Sequence, residues 1–204
     1  MDIACSSKGF PMIQSDIDRL LQIKRVNVIG TSGSGKSTFG RALAELLGLP
    51  YIEMDRVYWG PQWAEPVDEV FIPKVEAVTE QANWLLDGNY SRTTPVKWRQ
   101  VQLVVWLDMS FCRTLYRVTS RCVQRSLKKT EIWPGTGNRE TLGKAFLSRE
   151  SVILWAMTSY RRNRRRYARM MKAPEYAPIW FVRLRSPVEV EAFLCNAREA
   201  KNNS

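Results

Sequence analysis

The segment Gly30-Thr31-Ser32-Gly33-Ser34-Gly35-Lys36-Ser37 fits the pattern G-x-x-x-x-G-K-[ST], and its flanks restrict the fold more than any other feature. Before it runs Arg25-Val26-Asn27-Val28-Ile29, a short β-branched stretch suited to a buried strand. After it, Phe39, Leu43, Leu46 and Leu47 recur at helical spacing. Strand, glycine-rich turn and helix are the context in which this pattern holds phosphate. The glycines let the backbone wrap an anion with its N–H groups pointing inward, and the helix N-terminus adds a favourable field. Gly30, Ser32, Gly33, Ser34, Gly35, Lys36, Ser37 and Thr38 are therefore the expected nucleotide-binding set. Lys36 is expected to reach the β- and γ-phosphates of ATP, and the Ser37 hydroxyl to ligate Mg²⁺.

The chain has no histidine. This removes Ser-His-Asp and Cys-His catalysis and most zinc sites. Acid–base work falls to Asp and Glu, and charge stabilisation to Lys, Arg and a metal ion, the set that phosphoryl transfer uses. At 204 residues the chain is long enough for one large domain with a substantial core. No apolar run reaches membrane-spanning length, and the N-terminus lacks the basic-then-apolar order of a signal peptide. A cytoplasmic protein with no membrane partner is expected. Cys5, Cys112, Cys122 and Cys195 form no C-x-x-C pair and are expected as free, buried thiols.

Beyond the loop, strand and helix signals alternate. Gly48 and Pro50 stop the first helix. Residues 51–55 read as a second strand ending in a carboxylate, followed by a turn-rich stretch with Trp59, Gly60, Pro61, Trp63 and Pro66. A helix is expected over about 68–82, a third strand over 84–88, and a fourth over 101–108 that is the most apolar and so central. Helices over 111–126, 150–171 and 187–200 and a strand over 179–182 complete the pattern. It predicts an α/β fold, a five-stranded parallel sheet with helices on both faces. Ligands of such sheets sit beyond the strands' C-terminal ends, where Lys36, Asp55, Asp87 and Asp108 all fall. Residues 1–23 carry no strong pattern and read as a loosely attached extension of a domain spanning 24–200.

These motifs together resemble a family. The loop at 30–37, Met54-Asp55 with Tyr58-Trp59, Trp84-Leu85-Leu86-Asp87-Gly88-Asn89-Tyr90, the Val104–Asp108 strand and the arginine-rich late helix are similar to the adenylate-kinase-like P-loop kinases. Within them the likeness is greatest to the bacterial topology modulation proteins, over about residues 25–195. The resemblance implies a kinase-type core, a substrate lobe after the second strand, and a lid insert at about 127–148. Asp87-Gly88 matches the start of the Asp-Gly-Phe-Pro-Arg motif of nucleoside monophosphate kinases. There the aspartate lies near the magnesium shell and the arginine holds the acceptor phosphate. Here Asn89 and Tyr90 replace Phe-Pro, and Arg92 stands two positions on, which counts against AMP as acceptor. Asp87 is thus implied as a metal-shell and catalytic carboxylate, and a turn-capping aspartate is the alternative. Asp55 either takes a proton from a substrate hydroxyl or forms a strand-end turn. Trp59 and Trp63, four apart beside it, either stack a base or sugar or pack in the core.

The formal charge of +11 is concentrated: residues 111–172 hold 16 Lys/Arg and 3 Asp/Glu, and the remainder 15 and 17. Either an arginine-lined polyphosphate site or a nucleic-acid-binding face accounts for this. Arg113, Arg117, Arg121 and Arg125 repeat every four residues along one helical face and repel unless an anion or water compensates them. By position, Arg117 and Arg121 match two arginines that contact ATP in the adenylate kinases. Residues 161–166, Arg161-Arg162-Asn163-Arg164-Arg165-Arg166, point cations in nearly every direction, and Arg161 is the implied lid arginine. The chain is expected to be a Mg-ATP-dependent phosphotransferase, monomeric or dimeric, acting on a nucleotide or other small hydroxyl or phosphate acceptor. A nucleic-acid-associated ATPase or a polynucleotide end kinase is the alternative.

Overall fold

A computed structural model of the chain describes residues 9–128, 131–133, 135–138 and 152–202. Five strands form one parallel sheet: β1 (Arg25–Gly30), β2 (Tyr51–Glu53), β3 (Trp84–Asp87), β4 (Leu103–Leu107) and β5 (Trp180–Leu184). Their order is β2-β3-β1-β4-β5. The longer helices are α1 (Gln14–Gln22), α2 (Lys36–Leu47), α3 (Met54–Tyr58), α4 (Asp68–Thr79), α5 (Thr94–Lys97), α6 (Phe111–Lys128), α7 (Val152–Met170) and α8 (Pro187–Asn202).

Side-chain direction along the strands explains the layering. Val26 and Val28, Leu85, and Leu103, Val105 and Leu107 enter one core with Phe39 and Leu43 of α2 and Phe193 of α8. The alternate positions Ile29, Trp84, Leu86, Val104 and Trp106 enter a second core with Phe71 and Val75 of α4 and Tyr167 of α7. Strands apolar on both faces must be covered on both faces, and parallel crossovers through helices do this. The expected α/β fold is present, with β1 at its centre and β4 beside it. Both strands are buried, so apolarity marks an interior strand without ranking it.

Three local features differ from expectation. The second strand stops at Glu53, so Asp55 stands in the first turn of α3 rather than on a strand end. The chain must turn there because Met54 packs against the end of β3: a Cβ on Gly88 would lie 2.4 Å from that of Met54. Residues 9–23, before β1, are docked on the domain where a loosely attached extension was expected. Helix α1 packs on α8, Leu20 is fully buried, and Asn196 donates to the Phe10 carbonyl at 2.9 Å. So short a helix with few apolar anchors leaves little pattern to read. Finally, Cys195 is disulfide-bonded instead of free, and Cys112 is exposed instead of buried.

The expected lid at about 127–148 lies mostly outside the described residues. The part that is described, around 131–138, rests on the loop before α4: the Gln62 N–H donates to the Thr136 carbonyl at 2.9 Å. Among the described residues no helix is long and apolar enough to cross a membrane.

Candidate active site

β1 delivers the chain to the C-terminal edge of the sheet, and the loop after Gly30 closes on the N-terminus of α2. Gly33 has φ +78°, and a Cβ there would lie 2.5 Å from the Thr114 carbonyl oxygen, so α6 rests directly on the loop. At Gly35, φ +97°, a Cβ would lie 3.1 Å from a guanidinium nitrogen of Arg117. Arg117 therefore borders the loop, as expected. Ser32 is half-buried in the loop and Thr38 exposed on the first turn of α2. The unpaired N–H groups of that turn and the loop make an anion cradle.

Lys36 donates to the Thr31 carbonyl at 3.1 Å. Burial holds its pKa below the ordinary lysine value; the charges of Asp87 and Asp55 oppose that shift and Arg121 adds to it. Asp87, Asp55 and Arg121 are thus each near enough to Lys36 for their charges to act on it. Asp87 is 4% exposed and accepts a hydrogen bond from the Tyr51 hydroxyl at 2.6 Å on Oδ2. The same hydroxyl interacts with Ser37, and burial followed by the Asp87 charge pushes the phenol pKa up, so Tyr51 stays a donor.

Asp87 Oδ1, Ser34 Oγ and Arg121 Nε are buried with no protein partner. Buried polar atoms are usually paired, and the unpaired Asp87 Oδ1 and Ser34 Oγ at the phosphate loop suit a ligand; Arg25 Nε, Ser126 Oγ, Ser159 Oγ and Arg166 Nε are unpaired elsewhere. Asp87 caps no turn with that free oxygen. Ser37 and Asp87 supply hard oxygen ligands of the kind Mg²⁺ takes. Among the described residues no cluster of three or more His, Cys, Asp or Glu could hold a metal. A cation here would need phosphate oxygens as well as these two side chains.

Asn89, read from sequence only as a departure from Phe-Pro, has a defined task. Its amide accepts from the Gly30 N–H at 3.0 Å and donates to the Gly30 carbonyl at 2.6 Å. It adds one side-chain rung to the β1–β3 ladder, past the bond from the Gly88 N–H to the Val28 carbonyl. Fully buried Lys97 donates to the carbonyls of Asn89 at 2.8 Å and Gly88 at 3.4 Å. Asn27 donates to the carbonyls of Leu86 and Gly88 and accepts from the Trp98 indole at 2.9 Å. This network locks the phosphate loop to the strand that carries Asp87. An asparagine inside an apolar strand was the available sequence sign, because a buried amide must find partners. Lys97 gave no sign. Burial with only carbonyl partners lowers its pKa to about 7, and the Arg166 charge contributes.

Exposed Asp55 accepts from the Tyr90 hydroxyl at 2.7 Å. From Tyr90 a train of aromatic contacts runs through Tyr58, Trp59 and Trp63 to Trp133, with ring centroids 4.7, 4.8, 5.4 and 5.9 Å apart. The three indoles are partly exposed. Arg92 is already engaged: it pairs with Asp68 at 2.7 Å and lies over the rings of Tyr58 and Phe71. Arg161 is exposed on α7. Asp108 pairs with Arg164 of α7 and Arg183 of β5, which makes it an anchor for α7.

A family model for shikimate kinase matches residues 32–78, from the loop through α2, β2 and α3 to most of α4. Over 132 residues the chain is 26% identical to shikimate kinase 2, chloroplastic, of Oryza sativa subsp. japonica. That match covers 51% of this chain and 43% of the rice protein, less than half its length. Similar solved structures include a gluconokinase from Sinorhizobium meliloti 1021, 17% identical over 88% of this chain and 95% of that one, TM-score 0.46. The shikimate kinase from Acinetobacter baumannii in complex with shikimate is 18% identical over 92% and 93%, TM-score 0.48. The shikimate kinase from Bacteroides thetaiotaomicron is 13% identical over 87% and 97%, TM-score 0.49. The chain is therefore P-loop kinase-like, similar to the shikimate kinases in its phosphate loop and in the segment that follows.

Proposed function

We propose that the protein is a Mg-ATP-dependent kinase that transfers the γ-phosphoryl group to a hydroxyl of a small acceptor. Lys36 at the start of α2, buried Asp87 at the end of β3 beside β1, and exposed Asp55 held by Tyr90 together carry this reading. A loop that only bound nucleotide would have no use for a second, exposed carboxylate held by a tyrosine. The loop N–H groups, Lys36, Arg117 and Arg121 bind the triphosphate and stabilise the charge on the transferred group. Ser37 and Asp87 would hold Mg²⁺, which would supply charge neutralisation for the phosphates. Asp55 orients the acceptor hydroxyl and takes its proton as that oxygen bonds to phosphorus. The bond from phosphorus to the β–γ bridging oxygen breaks, and ADP leaves. The motif likeness to topology modulation proteins supports the same core without naming an acceptor.

A second reading rests on one observation. Arg161, Arg162, Arg165 and Arg169 are exposed on α7, and among the described residues none pairs with a carboxylate. Such a stripe suits a polynucleotide end kinase. Transfer from γ-labelled ATP separates the two. Label is expected on a small hydroxyl compound, abolished by Lys36→Ala and reduced at least ~100-fold by Asp55→Asn. Label confined to oligonucleotide ends would select the second reading. Normal ATP binding with no transfer to any acceptor would refute the kinase assignment.

A further inference from the structure

We infer that the acceptor is a hydroxyl compound without negative charge, uncharged or amine-bearing, whose apolar face lies on tryptophan. This rests on the kinase reading above and names the substrate class of the same site.

Charge is the first observation. In a chain of net charge +11, residues 51–80 carry seven Asp/Glu against two Lys/Arg. Two of the cations that reach this lobe from elsewhere are paired within it. Arg41 pairs with Glu53 at 3.3 Å, and Arg92 with Asp68 at 2.7 Å. Arg56 follows Asp55 on α3, so its side chain leaves the helix about 100° away from the carboxylate. A carboxylate or phosphate within about 6 Å of Asp55 would bind roughly 100-fold more weakly than its uncharged counterpart. Shikimate and gluconate, after which the similar kinases are named, are carboxylates. This lobe opposes such acceptors.

The aromatic train is the second observation. It begins at Tyr90, which holds Asp55, and ends in three partly exposed indoles. Indole faces take up C–H-rich surfaces and attract cations. Anions gain nothing from them.

The third observation is the effort spent on Trp63. Gln62 and Trp63 have φ +55° and +64°, a conformation that side-chain-bearing residues rarely adopt. Asn138, fully buried, accepts from the Trp63 N–H at 2.7 Å and donates to the Gly60 carbonyl at 3.0 Å. Strain persists where the surroundings over-determine it, and it gathers at ligand sites. A buried amide that pins one partly exposed tryptophan four residues from Trp59 is explained by an indole that touches substrate.

The test measures acceptor-dependent ADP release at saturating Mg-ATP with three groups of probes. The anionic probes are shikimate, gluconate and AMP; the uncharged are adenosine, thymidine and glucose; the cationic are glucosamine and ethanolamine. The best kcat/KM is expected in an uncharged or cationic group, at least 100-fold above every anionic probe. Trp63→Ala and the milder Trp63→Phe should raise KM for that acceptor and leave KM for ATP unchanged. Asp68→Asn releases Arg92 and should raise kcat/KM for the anionic probes about tenfold. A best acceptor among the anions overturns the inference and leaves the kinase reading standing. ADP release with none of the probes, in protein that binds Mg-ATP normally by calorimetry, overturns both.

Discussion

Lys97 offers a sharp test of how the phosphate loop is held. It is fully buried, and its ammonium meets only the carbonyls of Gly88 and Asn89. Its folded pKa is about 7 against 10.5 for an ordinary lysine. The unfolded chain therefore binds more protons between these values, and stability rises with pH across that window. Between pH 6.5 and 9.5 two such values give a gain of about 3 kcal/mol. In a chain of this size that is roughly 6–12 °C in Tm. Lys97→Met keeps the length of the side chain and removes the titration, at the cost of two accepted hydrogen bonds of about 1 kcal/mol each. Every other titrating group is common to both proteins, so the difference between their pH profiles isolates Lys97. Urea unfolding at pH 6.5, 8 and 9.5 is the assay. Wild type is expected to gain about 3 kcal/mol on the variant as pH rises, so that any advantage of methionine at pH 6.5 reverses by pH 9.5. Parallel profiles would refute the picture of Lys97 as a buried base without a counter-charge.

Gly33→Ala sets a Cβ against the Thr114 carbonyl at positive φ and should cost roughly 2 kcal/mol in unfolding while weakening nucleotide binding; unchanged Tm and ATP affinity would contradict the close seating of α6. Asn89→Ala and Asn89→Asp should both raise KM for ATP about tenfold, because neither can donate to the Gly30 carbonyl. An aspartate variant with wild-type kinetics would show that the clasp does not position the loop.

What was legible in the sequence was local. The glycine-lysine loop, the β-branched strand before it and the helical spacing after it each depend on neighbours in the chain, and all stand where expected. The alternation of strands and helices gave the parallel sheet, and the rule that ligands gather at strand ends fits Asp87, which ends β3 beside β1. What escaped depends on contacts between distant segments. Arg92 looked available because its partner Asp68 lies on a different element, and ion pairing cannot be read from either residue alone. Asn89 and Lys97 are polar residues in a polar-looking stretch, and only the packed sheet shows that one bridges to Gly30 and the other is fully buried. Asp55 moved from strand to helix because Met54 packs on Gly88, a long-range contact that outweighs local propensity.

The strand order also bears on how the chain is made. β1 lies between β3 and β4, and both are synthesised after it. As the polypeptide leaves the ribosome, one edge of Arg25–Gly30 stays open until Asp87 has emerged and the other until Leu107 has. The loop waits longer still, for Thr114 and Val118 to seat against Gly33. Although its motif lies near the N-terminus, competence to hold a nucleotide is a late event of translation. A nascent chain stalled near residue 100 would present the apolar edge of β1 to chaperones or to its own kind.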